Sequence, residues 1–439
     1  MLEQFFKLKQ HGTTVRNEII GGITTFAAMA YILAVNPGIL SASGMDKGAL
    51  ITATALSSAL MTVLMALMTN YPIALAPGMG VNAFVAFTVC GAMGIPWQAA
   101  LGMVFYSGCI FLTLSATGVR RKLIEAIPRE LKLAITCGIG LFIAFIGLRG
   151  GGVIVASPAT LVKLGDFHQA GPLLVLVGIA LTAILVWRKV PGAIIIGVVT
   201  LTVAGMFLPA AGGKGTITEH IDKLMDWPAS LAPTFFKLDL GYFWHNWQKC
   251  IPVVLALLFV DLFDNMGTLI AVCHRAGLLD KDGNLPGIGR ALAADATAAM
   301  VGSTLGTSTV TSFIESAAGV EAGGRTGLTA IVTAGCFLLA LLFSPFFAII
   351  PAVATAPALV IVGVFMMQSA AELDLKDFAK AVPAVLIMLM MPLAFSIAEG
   401  IAVGFVVYVV FMVGCGRQRE VSPVAYVLGV LFLAHLIFG

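Results

Sequence analysis

The sequence predicts an all-α polytopic membrane protein of about 14 transmembrane segments, and three observations carry that prediction. Of its 439 residues, 59% are hydrophobic and 11% are charged, where soluble domains carry about 25% charged residues. Apolar runs recur from about residue 17 to residue 438. Most suit a hydrocarbon core roughly 30 Å thick, which takes about 20 helical residues to cross. Two of these runs are interrupted by Gly, Pro and hydroxyl residues, and they stand seven runs apart.

In order, the runs fall at about 17–35, 51–69, 73–92, 96–117, 129–148, 171–187, 190–208, 248–272, 288–304, 306–322, 326–348, 351–370, 380–396 and 397–415. A last run, 422–438, is either a further span or a helix lying at the interface. The polar stretch of about 209–247 reads as a connection and not as a separate domain, so the chain forms a single membrane domain. "AAMA" at 27–30 resembles a signal-peptidase site. The run continues past it to Val35 and has Glu18 near its start, so a retained helix is expected.

The distribution of basic residues tests this map. With the N-terminus in the cytoplasm, the outside holds Lys47, Arg149, Lys163, Lys214, Lys223, Lys237 and Lys249, and the inside holds the other 18 of the 25 Lys and Arg. Cytoplasmic loops are the basic ones. The expected location is the plasma membrane, the inner membrane of a bacterium. Net charge is +3, with no basic tract interleaved with aromatics, so the bilayer and not nucleic acid is the expected partner. Seven scattered cysteines without a CxxC pair read as small buried hydrophobes. The six histidines lie in loops or near run ends. Neither a metal nor an organic cofactor is expected.

The interrupted runs are "YPIALAPGMGVNAF" (71–84) and "GTSTVTSFIESAAG" (306–319). Proline removes a backbone donor and breaks helices. Non-helical backbone at membrane depth persists only when buried in protein or lining a cavity. Broken segments at corresponding places in two halves mark the binding site of a repeat-built transporter, and an odd repeat of seven spans gives the halves opposite orientations. The run "LLFVDLFDNMGTLIAV" adds Asp261 and Asp264, three apart and so on one helix face. Each acid costs about 2.5–3.5 kcal/mol at the bilayer centre on insertion scales. The tenth run adds Glu315, and the third adds the amide of Asn82. Asp264 also suits a helix-cap role, with Asn265, Gly267 and Thr268 close behind it, and Asn82 suits support of the broken backbone around Pro77. Asp295, Glu18 and Glu399 stand nearer run ends, where structural or interfacial roles are expected.

Other chemistries lack their motifs: there is no GxGD element, no HExxH and no Walker A loop. A secondary transporter is the better reading, ahead of a channel. An anion carrier of the same architecture would want a cation at the broken spans, and an intramembrane hydrolase built on the paired aspartates is the more distant rival.

The stretches "GGITTFAAMAYILAVNPGIL" (21–40), "ALAPGMGVNAF" (74–84), "VDLFDNMGTLI" (260–270), "GTSTVTSFIESAAGVEAGGRTGLTA" (306–330) and "AFSIAEGIAVGF" (394–405), with the loop "VIVASPATLVKLG" (153–165), are distributed over nearly the whole chain. In these the chain resembles the xanthine/uracil permease superfamily, and within it the azaguanine-resistance-like branch of adenine, guanine and hypoxanthine permeases. The resemblance implies two inverted seven-span repeats, with spans 3 and 10 each beginning as a short strand. It implies a core domain (about 17–117 and 248–348) that moves as an elevator against a gate domain (about 129–208 and 351–415), the latter fixed by homodimer formation. It implies import of a purine nucleobase with a proton as the coupling ion. Asp261 and Glu315 match the two acids that grip the base, and Asn82 matches the third-span Asn of the branch. Thr25, Phe26, Ala76, Phe313, Ile314 and Ser316 are expected to line the same site, and Phe26, Phe84 or Phe313 to stack on the base. Asp264, Asp261 and Glu315 are the candidates for carrying the proton. Ser316 stands where the nucleobase–ascorbate signature has Asn, a departure that suits purines rather than uracil or xanthine.

Overall fold

The computed structural model describes residues 2–117, 127–210, 215–220, 223–278 and 285–438. The side chain of Asp264 lies outside the described residues, as do Arg120, Arg121, Lys122, Lys214 and Lys281.

After the short α1 (Leu2–Phe6), Thr14 caps α2 (Val15–Met29) by accepting the Asn17 amide. The chain breaks at Ala30 and Tyr31 and resumes as α3 (Ile32–Leu40). Asp46 caps α4 (Lys47–Thr69) at 2.7 Å to the Ala49 amide. Strand β1 (Leu75–Pro77) leads into α5 (Met79–Ala83), which winds on as a π-helix through Ala92. Then come α6 (Trp97–Thr117), α7 (Arg129–Gly150), strands β2 (Ile154–Ser157) and β3 (Leu161–Leu164), α8 (Ala170–Trp187) and α9 (Ala193–Gly205). The second half carries α10 (Gly241–His245), α11 (Trp247–Arg275), α12 (Ile288–Leu305), β4 (Val310–Ser312), α13 (Ser316–Glu321), α14 (Gly327–Ala340) and α15 (Ser344–Ile349). It closes with α16 (Ala352–Met367), α17 (Phe378–Leu393), α18 (Ile397–Gly414) and α19 (Pro423–Phe438).

Among the described residues, 8 helical segments are long and apolar enough to cross a membrane. The chain is therefore a mostly helical, multi-pass membrane protein. Four other apolar helices are shorter, one of them the broken segment Met79–Ala92. The fold is also not wholly helical. The stretch 153–165, read above as a loop, forms the antiparallel hairpin β2–β3, with Ile154 opposite Leu164 and Ser157 opposite Leu161.

Two groups of helices are held by mutual packing. In one, α2 and α4 lie on α14, α6 lies on α12, and α13 lies on α2. In the other, α7 lies on α16 and α17, α8 and α9 lie on α16, and α17 lies on α18. The first group closes around Glu18, which is fully buried. Its carboxylate accepts from the Arg325, Thr326 and Thr329 amides at 2.9, 3.2 and 3.0 Å, and from the Thr326 and Thr329 hydroxyls at 2.8 and 2.7 Å. A residue of the first half thus satisfies the orphan donors at the start of α14 in the second half.

Candidate functional site

Pro72 and Pro77 deny helical donors, and Gly78 and Gly80 weaken any helix. The β-branched Val310 and Thr311 favour extended backbone. The two broken segments therefore meet as strands. Leu75, Ala76 and Pro77 lie opposite Ser312, Thr311 and Val310 in antiparallel register. Backbone bonds from Gly78 to Thr309 at 2.9 Å and from Phe313 to Ala74 at 3.0 Å extend the pairing at both ends.

The outer edges of this small sheet are not left open. Thr62 accepts the Leu75 amide at 2.8 Å and donates to the Leu75 carbonyl at 3.2 Å. Asp295, buried on α12, accepts from the Ser312 amide at 3.1 Å, the Thr311 hydroxyl at 3.2 Å and the Ser312 hydroxyl at 3.3 Å. Ser316 accepts the Ala74 amide at 3.0 Å. A buried strand edge requires partners, and nearby side chains supply them. Ser316 is buried and committed to Ala74 in this conformation.

Asn82 is equally occupied. Its amide nitrogen donates to Asn36 Oδ1 at 2.5 Å, and its oxygen accepts from the Ser308 hydroxyl. Asn36 in turn donates to Thr54 at 2.7 Å and Thr307 at 2.9 Å. All five side chains are buried. This network ties α3, α4, α5 and the start of the β4 segment into one rigid unit.

Two positions of the corner after β4 remain open. Ile314 is 41% exposed and Glu315 is half-buried. The Tyr31 hydroxyl donates to Glu315 Oε1 at 2.5 Å, a short hydrogen bond. Among the described residues this is the hydrogen bond to that carboxylate; a neutral hydroxyl, not a cation, is its partner. Asp261 is buried on α11, and α11 packs against β4, α13 and α5. The structure thus brings the helix carrying Asp261 to the corner carrying Glu315.

The small residues explain how α13 comes so near α2. A Cβ on Gly319 would stand 2.0 Å from Thr25 Oγ1 and 2.4 Å from the Gly21 carbonyl. Thr25 is buried there, and its hydroxyl has no hydrogen-bond partner among the described residues. Phe26 is half-buried and meets Phe337 edge-to-face, with ring centres 5.2 Å apart. Phe84 and Phe313 are buried, as is Ala76 in the strand.

Two residues escaped the sequence reading. Tyr31 sits in the break between α2 and α3; the signal was a phenol inside the apolar run "AYILAV", since a buried Tyr hydroxyl needs a partner. Asn265 is fully buried, and neither end of its amide has a partner among the described residues. It lies four residues after Asp261 and so on the same helix face.

A family model described as the permease family, of the xanthine/uracil type, matches residues 16–403. The chain is 48% identical over its full length to a putative permease of Methanocaldococcus jannaschii, covering 98% of that protein. It is also 48% identical to the guanine/hypoxanthine permease PbuG of Bacillus subtilis, with both chains fully covered. Identity to the adenine permease AdeP of Escherichia coli is 42%, covering 100% of this chain and 96% of the other. Among solved structures, the transmembrane domain of the cyanobacterial bicarbonate transporter BicA aligns with a TM-score of 0.63 at 16% identity, covering 88% of this chain and 96% of that one. At that identity the likeness speaks for the fold. The paired broken strands, the buried acids and relatives matched end to end agree: this chain belongs to the xanthine/uracil permease family and is a transporter, not an enzyme.

Proposed function

We propose that this chain imports purine nucleobases, adenine, guanine or hypoxanthine, in symport with protons. The observation that carries the reading is the pairing of a half-buried acceptor, Glu315, with a helix that brings a second buried acid, Asp261, to the same strand corner. A purine is flat, neutral and edged with N–H donors, which carboxylates accept. PbuG, PbuO and AdeP, relatives at 48, 43 and 42% identity, carry purine names. The bicarbonate transporter shares the fold, but an anion gains nothing from a site whose ionisable groups are acids. Purified protein is expected to gain thermal stability from at least one of the three purines and none from bicarbonate or sulfate. Ligand at a hundred times its dissociation constant adds about 2.7 kcal/mol to the folded state. Stabilisation by the anions alone contradicts the proposal.

The N-terminus is assigned to the cytoplasmic side and the chain to the plasma membrane, following its basic residues. The core of the proposed transport motion is 17–117 with 248–348, and the gate is 129–208 with 351–415, fixed as a homodimer. The separate packing of the two helix groups supports this division. Contact between them includes the Thr88 hydroxyl donating to the Phe395 carbonyl at 2.9 Å and the Phe87 and Phe395 rings 5.8 Å apart. Cysteines placed at 88 and 395 in a cysteine-free background are expected to abolish uptake when oxidised and to restore it on reduction. Unchanged uptake with the crosslink formed contradicts a sliding core.

A further inference from the structure

We propose that Tyr31 is a specificity-determining residue that weakens one of the two acceptor oxygens of Glu315, so that the site gains less from a second purine N–H than a free carboxylate would. This inference rests on the purine reading above. Three observations carry it. The Tyr31 hydroxyl holds Glu315 Oε1 at 2.5 Å. The Tyr31 side chain is fully buried at the α2–α3 break, so the phenol is fixed and cannot swing aside as a surface residue would. Glu315 itself is half-buried beside the exposed Ile314, and its second oxygen is not engaged by Tyr31.

Purines differ in what they present to such an acceptor. Guanine carries two neighbouring donors, the ring N1–H and the exocyclic 2-amino group, spaced for both oxygens of a carboxylate. Hypoxanthine carries the ring N1–H and a carbon-bound hydrogen at the 2-position. A free carboxylate accepts in bidentate fashion and would favour guanine. With one of the two lone-pair sites of Oε1 filled by a buried phenol, that oxygen is the weaker acceptor, the second donor of guanine gains less from it, and the two bases become near equals. The phenol thereby broadens the site to purines without a 2-amino group.

The test compares guanine and hypoxanthine binding in the parent and in Tyr31→Phe, which keeps the ring and removes only the hydroxyl. In the parent, the two affinities are expected to agree within about threefold. In Tyr31→Phe, the ratio of guanine to hypoxanthine affinity is expected to rise about tenfold, the worth of one hydrogen bond to a charged group. A ratio that stays put, whether both affinities fall together or neither moves, shows that Tyr31 is only structural and overturns the inference. If the variant fails to fold, the parent alone decides: guanine bound tenfold or more tighter than hypoxanthine contradicts a weakened second acceptor. A parent that binds neither guanine nor hypoxanthine but binds adenine, or binding without the ratio change, refutes the inference alone; a parent that binds none of the three purines, with Tyr31→Phe equally silent, refutes the purine reading and the inference falls with it.

Discussion

Glu315→Gln is expected to lower purine affinity at least tenfold while leaving the fold intact. The carboxylate presents two acceptor oxygens, one held by Tyr31 at 2.5 Å and one proposed to accept from the base. A glutamine amide has a single oxygen. If that oxygen takes the Tyr31 hydroxyl, the NH2 group points a donor at the donors of the base. If it faces the base, the phenol must turn into an acceptor and the ligand loses a charged partner. Either way one charge-assisted bond is lost, about 1.5–3 kcal/mol, or roughly tenfold or more in affinity. The fold is expected to survive because the strands are held by Thr62, Asp295 and Ser316 through bonds that do not involve this carboxylate. Affinity by titration calorimetry and thermal stability of the unliganded protein separate the two effects; unchanged affinity contradicts a binding role.

Asp261→Asn is expected to damage binding and accumulation together, whereas Asp264→Asn is expected to keep binding and weaken pH-driven accumulation. Asp261 is buried on the helix that packs against the strand corner and is the second acid proposed to accept from the base. Asp264 lies three residues on, close enough on a helix for the two acids to titrate as a coupled pair. A neutral amide cannot carry a proton across. Affinity and pH-driven accumulation measured for each variant decide the matter. If Asp264→Asn binds and concentrates purine as the parent does, the proton belongs to Asp261 or Glu315.

Much of the architecture was legible because its causes are local. Apolar run length marked the membrane helices, and Pro72, Pro77, Gly78 and the Thr/Val-rich 307–312 marked the two broken segments that pair as β1 and β4. What the hydroxyls do was not legible, because it depends on contacts between distant parts of the chain. Thr62 lies 13 residues from its partner Leu75, and Ser308 lies 226 residues from Asn82. A one-dimensional pattern shows that such groups need partners, not which partners they find. The same holds for Glu18, which lies 311 residues from Thr329: the sequence allows a structural or an interfacial role, and only the contact shows the structural one. Tyr31, 284 residues from Glu315, was hidden for this reason too. The hairpin at 154–164 was missed because its alternation is weak and its strands are 4 residues each.

The most direct test of the central claim is uptake of radiolabelled adenine, guanine and hypoxanthine into cells that lack their own purine permeases, measured with the outside acidic and again with a protonophore. The account predicts that at least one purine accumulates against its gradient, and that collapse of the proton gradient abolishes the accumulation. Absence of uptake for all three purines contradicts purine transport, and accumulation that persists after the proton gradient is collapsed contradicts proton coupling.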